Sequence, residues 1–166
     1  KFIKYISRDD ISSRITFLSS HINTDYYDKK ILFIGVLKGC LPFTTDLLKK
    51  IKIDYDVDYI KLSSYKGTKR GEIVFEKSTK IKDFSKYDNV IILEDIVDSG
   101  STINHLKLFF NKIKNKLQIV ALLTKEKNMH LCDWYGFKVE NKYVIGYGLD
   151  INNLFRELKD IYIEER

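Results

Sequence analysis

An α/β fold built on a parallel sheet is predicted by three apolar runs of strand length, at 31–37, 90–93 and 118–124. Short continuous apolar runs suit strands buried on both faces. Helical patterns lie between them, and strand alternating with helix is how parallel strands are connected. The third observation is the polar chemistry at the end of each run: Leu37-Lys38-Gly39, Glu94-Asp95, Lys125 and, after a further strand at 142–147, Gly146-Tyr-Gly-Leu-Asp150. In such sheets ligands bind beyond the carboxyl ends of the strands, near the point where strand order reverses, so this chemistry is expected on one edge.

In chain order, Ser7-Arg-Asp-Asp10 has the form of a capping box, and Ile11, Ile15, Leu18 and Ile22 follow at helical spacing. The strand at 31–37 comes next. Pro42 then stands where a helix begins, with Phe43, Leu47 and Leu48 on its inner face. Residues 57–65 alternate as a strand and 72–77 read as another, joined by the polar, glycine-flanked tip 66–71. After the strand at 90–93, a helix is expected over 102–116 with Ile103, Leu106, Phe109, Phe110 and Ile113 on one side. No repeat, low-complexity tract or linker divides the chain, and Pro42 is its only proline. One domain over 1–166 is expected.

Hydrophobic residues at 44% and charged residues at 31% exclude a disordered or fibrous chain. No apolar run approaches the roughly 20 residues that cross a bilayer, and no signal-peptide pattern is present. The first residue is Lys1 rather than Met, so a short leader is expected before it. Cys40 and Cys132 lack metal-site or disulfide-framework spacing, which favours a reducing, cytoplasmic setting. The formal charge of +6 admits nucleic acid or small anionic substrates as partners, but the scattered lysines read as well as solvated faces.

The densest chemistry lies in Val90-Ile-Ile-Leu-Glu-Asp-Ile-Val-Asp-Ser-Gly-Ser-Thr102. An apolar run delivers Glu94 and Asp95, then Asp98, then the small loop Ser99-Gly100-Ser101-Thr102. Adjacent acids at a buried strand resist desolvation unless a ligand, cation or donor offsets them. A vicinal diol can donate to them, and unhindered backbone N–H groups at a helix start can hold a phosphate. A phosphorylated sugar fits both. The common nucleotide loops GxxxxGK[ST] and GxGxxG are absent.

This segment resembles the phosphoribosyl-pyrophosphate (PRPP) signature of type I phosphoribosyltransferases. The wider chain, from about Ser7 to Tyr162, resembles the hypoxanthine-guanine branch through Val36-Leu-Lys-Gly39, Leu62-Ser-Ser-Tyr65, Ala121-Leu-Leu-Thr-Lys125, Asp133-Trp-Tyr-Gly-Phe137 and Lys142-Tyr-Val-Ile-Gly-Tyr-Gly-Leu-Asp150. The resemblance implies a mostly parallel sheet flanked by helices, with a core over about 10–130. It also implies a small hood from the N-terminal residues and about 131–166, and a flexible lid hairpin carrying Ser64 and Tyr65.

The resemblance further implies roles. Glu94 and Asp95 would hold the ribose hydroxyls, and the backbone of Asp98, Ser99, Gly100, Ser101 and Thr102 would surround the 5′-phosphate. Asp98 would exchange the purine N7 proton as the catalytic residue. Leu37, Lys38 and Gly39, whose first peptide is often cis in the family, would form the pyrophosphate loop with Arg156. Lys125 would donate to purine O6, with Ile96, Tyr143 and Val144 enclosing the ring and the Asp150 backbone near the guanine amine. Mg²⁺ is the implied cofactor, near Glu94, Asp95 and Asp150. Relatives often carry Phe or Trp where Tyr143 stands, and some carry lysine where Ser101 stands.

The expected activity is therefore transfer of a phosphoribosyl group from PRPP to hypoxanthine or guanine in purine salvage. No obligatory nucleic acid and no membrane is expected, and the family implies a homodimer or homotetramer. A PRPP-sensing regulator that keeps this fold and binds nucleic acid is the alternative from another class. A pyrimidine or adenine phosphoribosyltransferase is the nearer one.

Overall fold

The computed structural model describes residues 1–64 and 72–165. Tyr65 and the expected loop tip at 66–71 lie outside the described residues, and Ser64 is the last residue of a strand.

Strands β1 (Phe2–Ile6), β2 (Lys30–Leu37), β3 (Asp54–Ser64), β4 (Ile73–Lys77), β5 (Asn89–Val97), β6 (Leu117–Lys125), β7 (Trp134–Val139), β8 (Val144–Ile145) and β9 (Ile161–Glu164) are accompanied, among the described residues, by the α-helices α1 (Arg8–Asp25), α2 (Leu41–Leu48) and α3 (Ser101–Phe109). The main sheet has the order β4-β3-β2-β5-β6-β7. All its neighbours are parallel except the edge pair β3 and β4. Strand order therefore reverses between β2 and β5. The loops after those two strands carry Lys38-Gly39 and Asp98–Thr102, as the parallel-sheet rule requires.

Local chemistry accounts for the helices. Ser7 caps α1, its Oγ accepting from the Asp10 amide at 3.1 Å. Ile11, Ile15, Leu18 and Ile22 then form one buried stripe, the neighbours at three and four residues that share a helix face. Pro42 sits in the first turn of α2, where its missing N–H costs nothing. Phe43 and Leu47 are buried there, with Leu48 half-buried. Alternate residues of β2 feed opposite faces of the sheet. Ile31 and Phe33 pack with α1 and α2, whereas Leu32 and Ile34 pack with Ile103 and Leu106 of α3.

Three expectations are corrected. The helix read over 102–116 stops at Phe109, and Asn111–Lys116 tightens into 3₁₀ turns with Ile113 at φ −116°. Lys116 donates to the carbonyls of Phe84 and Tyr87 at 2.7 and 3.0 Å, drawing this connection onto the preceding loop. Phe109, expected inside, is 48% exposed and rests its ring 4.5 Å from that of Phe75. The strand read at 142–147 shrinks to β8, which leaves the main sheet for a small antiparallel one of order β1-β9-β8. Left-handed backbone at Gly146, Tyr147 and Gly148 ends it, since no strand continues through positive φ. The neighbour of β6 at the sheet edge is β7.

The small sheet forms a hood. Its Val144, Ile161 and Ile163 join the same buried cluster as α1, α2 and one face of the main sheet.

Candidate active site

β5 remains a strand through Val97, so the two acids lie inside it rather than after it. Glu94 pairs with Ala121 of β6 and is buried. Burial first, and then the Asp95 charge, push the Glu94 carboxyl well above the ordinary carboxylate range. Burial raises Asp95 as well, opposed by the Ile96 amide, which donates to Asp95 Oδ1 at 2.7 Å, and by the positive charge of Arg156. A β-carbon on Gly39 would stand 1.7 Å from Asp95 Oδ2, so only glycine lets the loop after β2 lie against the acid. The Leu37–Lys38 peptide in that loop is cis. Lys38 is exposed.

The small loop ends in helix α3. Gly100 occupies the N-cap at φ 85° with no side-chain cap. The first amides of a helix have no intrahelical partner, so Ser101 and Thr102 begin a turn whose N–H groups and dipole favour an anion. The Ser101 amide reaches Ser99 Oγ at 3.3 Å, and Ser99 Oγ lies 3.1 Å from Ser101 Oγ.

Between this loop and the hood lies a cavity of about 440 Å³. Asp95, Ile96 and Asp98 from the β5 side line it together with Lys125, Tyr143, Val144 and Asp150. Lys125 is 4% exposed. Its Nζ donates to the hood carbonyls of Glu140 and Lys142 at 2.6 and 2.5 Å. An ammonium has three hydrogens, so one remains for the cavity. Burial lowers the Lys125 pKa, with the Asp98 charge opposing. Tyr143 presents a 64% exposed ring. Asp150 Oδ1 lies 3.2 Å from Arg156 Nη2, and Arg156 Nη1 donates to the Gly148 carbonyl at 2.7 Å. Arg156 is thus a half-buried strut of the hood turn rather than a loose surface arginine.

The expected acid trio around a metal does not assemble: among the described residues, no group of three or more His, Cys, Asp or Glu side chains could hold an ion. Glu94 is enclosed by the sheet and off the cavity lining, and Asp150 is engaged by Arg156.

Residues 7–152 match the phosphoribosyl transferase domain. The chain belongs to the phosphoribosyltransferase family. It is 35% identical to the hypoxanthine-guanine phosphoribosyltransferase of Bacillus subtilis, over 92% of this chain and 87% of that protein. It is 36% identical to the bifunctional protein TilS/HprT of Listeria monocytogenes over 95% of this chain, yet spans only 25% of that longer protein. The fold superposes with a TM-score of 0.84 on the hypoxanthine phosphoribosyltransferase of Trypanosoma cruzi in complex with IMP, at 29% identity, covering 98% of this chain and 93% of that one.

Around this phosphoribosyltransferase site stand residues that sequence reasoning passed over. Asn141, Lys142, Leu149 and Glu164 also line the cavity. Lys142 and Leu149 belong to the motif 142–150, whereas Glu164 arrives from β9, far away in sequence. Asn128, buried in the 3₁₀ turn Glu126–Leu131, donates to the Asp98 carbonyl at 2.5 Å and backs Gly100. A lone asparagine after a strand gives no signal of that role.

Proposed function

We propose that this phosphoribosyltransferase transfers the 5-phosphoribosyl group of PRPP to hypoxanthine or guanine, giving IMP or GMP and pyrophosphate in purine salvage. The observation that carries this reading is that Asp98, Lys125 and Tyr143 line one cavity. A 6-oxopurine offers an acceptor at O6 to the remaining Lys125 hydrogen and a proton at N7 to the Asp98 carboxylate. Adenine, with an amino group at C6, offers no such acceptor. The names of the relatives agree with that choice of substrate.

In this mechanism the bond from C1′ to the pyrophosphate oxygen breaks as purine N9 bonds to C1′. Positive charge grows on the sugar, and the N7 proton passes to Asp98, which returns it in the reverse direction. The backbone from Asp98 to Thr102 anchors the 5′-phosphate, while Asp95, on the cavity lining, accepts from the ribose hydroxyls with Glu94 buried behind it. Ile96 and Val144 hold the ring against Tyr143, and the Asp150 backbone meets the guanine amine. Leu37, Lys38, Gly39 and Arg156 receive the pyrophosphate. Positioning and electrostatic stabilisation make up most of the catalysis. Ser64 and Tyr65 belong to the lid that would cover the reacting centre.

Phosphoribosyltransferases typically take PRPP as its Mg²⁺ complex. The donor set fits an ion carried on substrate oxygens and water, because Mg²⁺ keeps several waters and needs only one or two carboxylates. Asp95 and Asp150, both on the cavity lining, are the carboxylates that would face it. The ion would neutralise charge on the departing pyrophosphate. We assign the enzyme to the cytoplasm as a homodimer or homotetramer, with α1 and the β3–β4 edge as the contact surfaces. Among the described residues no helix is long and apolar enough to cross a membrane.

The deciding experiment incubates the protein with PRPP, Mg²⁺ and hypoxanthine, guanine, xanthine or adenine in turn. IMP and GMP should form and AMP should not. Absence of any nucleotide, combined with salt-sensitive nucleic-acid binding, would overturn the enzyme in favour of a PRPP-sensing regulator.

A further inference from the structure

The proposed chemistry leaves one polar pair unused. Tyr147, 3% exposed, donates its hydroxyl hydrogen to Asp46 Oδ2, and its oxygen also lies 3.3 Å from the Pro42 carbonyl. Asp46 belongs to α2, the helix that follows the pyrophosphate loop directly, whereas Tyr147 belongs to the hood turn that leads to Asp150. Burial and the Asp46 charge push the phenol well above its ordinary range, so it stays a donor. The Arg8 guanidinium lies 4.0 Å from Asp46 Oδ2 and the Lys49 ammonium 3.8 Å from Asp46 Oδ1.

Beside this bond the two backbones touch. A β-carbon on Gly148 would stand 2.2 Å from the Gly39 carbonyl oxygen and 2.9 Å from Pro42 Cδ. The Gly148 carbonyl meanwhile receives Arg156, which pairs with Asp150. A continuous path therefore runs from the loop after β2, through α2 and the Tyr147–Asp46 bond, to the hood groups at the cavity.

We propose that Tyr147 and Asp46 are positioning residues that set the pyrophosphate loop in register with the hood, so that Lys38 and Arg156 grip the pyrophosphate of PRPP together. This rests on the phosphoribosyl-transfer reading above. Neither side chain lines the cavity, so both act through Gly39, Gly148 and Arg156. A ligand that spans the register, PRPP, should feel its loss. A ligand that omits the pyrophosphate, IMP, should not.

The test measures binding of PRPP and IMP by calorimetry, with Mg²⁺, to the unaltered chain and to Tyr147→Phe, Asp46→Ala and Asp46→Asn. Loss of a hydrogen bond to a charged group corresponds to roughly tenfold weaker PRPP binding, expected for Tyr147→Phe and Asp46→Ala. IMP affinity should hold in both. Asp46→Asn keeps an acceptor for the phenol and should recover most of the PRPP affinity. Asp46 is partly exposed, so Asp46→Ala decides the matter even where Tyr147→Phe does not fold. Parallel weakening of PRPP and IMP, unchanged PRPP affinity, or failure of Asp46→Asn to recover it would each overturn the proposal. Failure of the unaltered chain to make nucleotide is a separate outcome: it removes the enzymatic reading, whereas the ratio of PRPP to IMP affinity judges the tie.

Discussion

Asp95 and Asp98 on the β5 side and the groups of the hood face one cavity but are held there by different forces. β5 lies in the middle of the six-stranded sheet, bonded to β2 on one side and β6 on the other, among fully buried Ile91, Ile92 and Leu93. Hydrophobic burial fixes Glu94 firmly but penalises its charge. The hood has strands of only 5, 2 and 4 residues and turns with positive φ at Tyr147, Asn152, Asn153 and Phe155. Directional polar ties supplement its apolar contact: Lys125 to two hood carbonyls, Tyr147 to Asp46, and the Arg8 amide to Asp160 at 2.7 Å. In the proposed reading the sugar-phosphate half of the site is built on the core, and much of the purine half on a cap to which hydrogen bonds contribute. Substitutions on the two sides should fail differently.

The largest effect is expected on the core side. Asp98→Asn removes the proton acceptor and leaves the backbone cradle in place, since the Asp98 carbonyl still receives Asn128. Turnover should fall by about 10²–10⁴-fold, the usual contribution of a positioned acid–base group, with PRPP affinity retained. Steady-state rates and PRPP titration together check this. Unchanged turnover would remove Asp98 from the chemistry.

The same contrast explains what was legible in the sequence. The core announces itself locally: Ser7 caps its helix within three residues, Pro42 marks a first turn, and the acids follow an unbroken apolar run. The hood does not. β1 pairs with β9 in a register that joins Phe2 to Glu164, and the phenol of Tyr147 meets a carboxylate 101 residues away. No window of sequence contains such partners, so β1, β9 and the role of Tyr147 stayed hidden. The overlong helix at 102–116 has another cause. Phe109 and Ile113 keep a helical period, but Lys116 finds carbonyl partners that a continued helix would not reach. The purine-side residues were legible only through family resemblance, because an isolated lysine after a strand is ordinarily a solvated one.

On the hood side, Lys125→Met keeps the aliphatic stem and deletes both the O6 donor and the bonds to Glu140 and Lys142. Hydrogen bonds to a charged donor contribute about 1.5–3 kcal/mol, so the KM for hypoxanthine should rise at least tenfold. The KM for PRPP should move less, because the 5′-phosphate loop and the loop at Lys38 are untouched. Kinetics with each substrate varied in turn would separate the two. Equal rises in both constants would break the division between core and hood.

The smallest effect is read in stability rather than rate, and it tests whether the core truly burdens its own acid. Because the folded-state pKa of Glu94 lies above its ordinary value of 4.5, the folded chain holds a proton that the unfolded chain releases. The folded state binds more protons throughout that window, so stability is greatest on its acidic side and declines as pH rises toward the raised value. Asp95 is raised too and acts in the same direction. Glu94→Gln keeps the shape and removes the titration, so its thermal midpoint should fall less than that of the unaltered chain as pH rises above the ordinary glutamate value of 4.5. Asp95 accounts for the slope that remains. Identical slopes would mean that Glu94 is already ionised in the ligand-free core, and burial would then lose its place as the force that separates this half of the site from the hood. A flatter slope would leave burial as the dominant force on the pair, opposed only in part by the Asp95 and Ile96 amides, which donate to Glu94 and Asp95 at 3.3 and 2.7 Å.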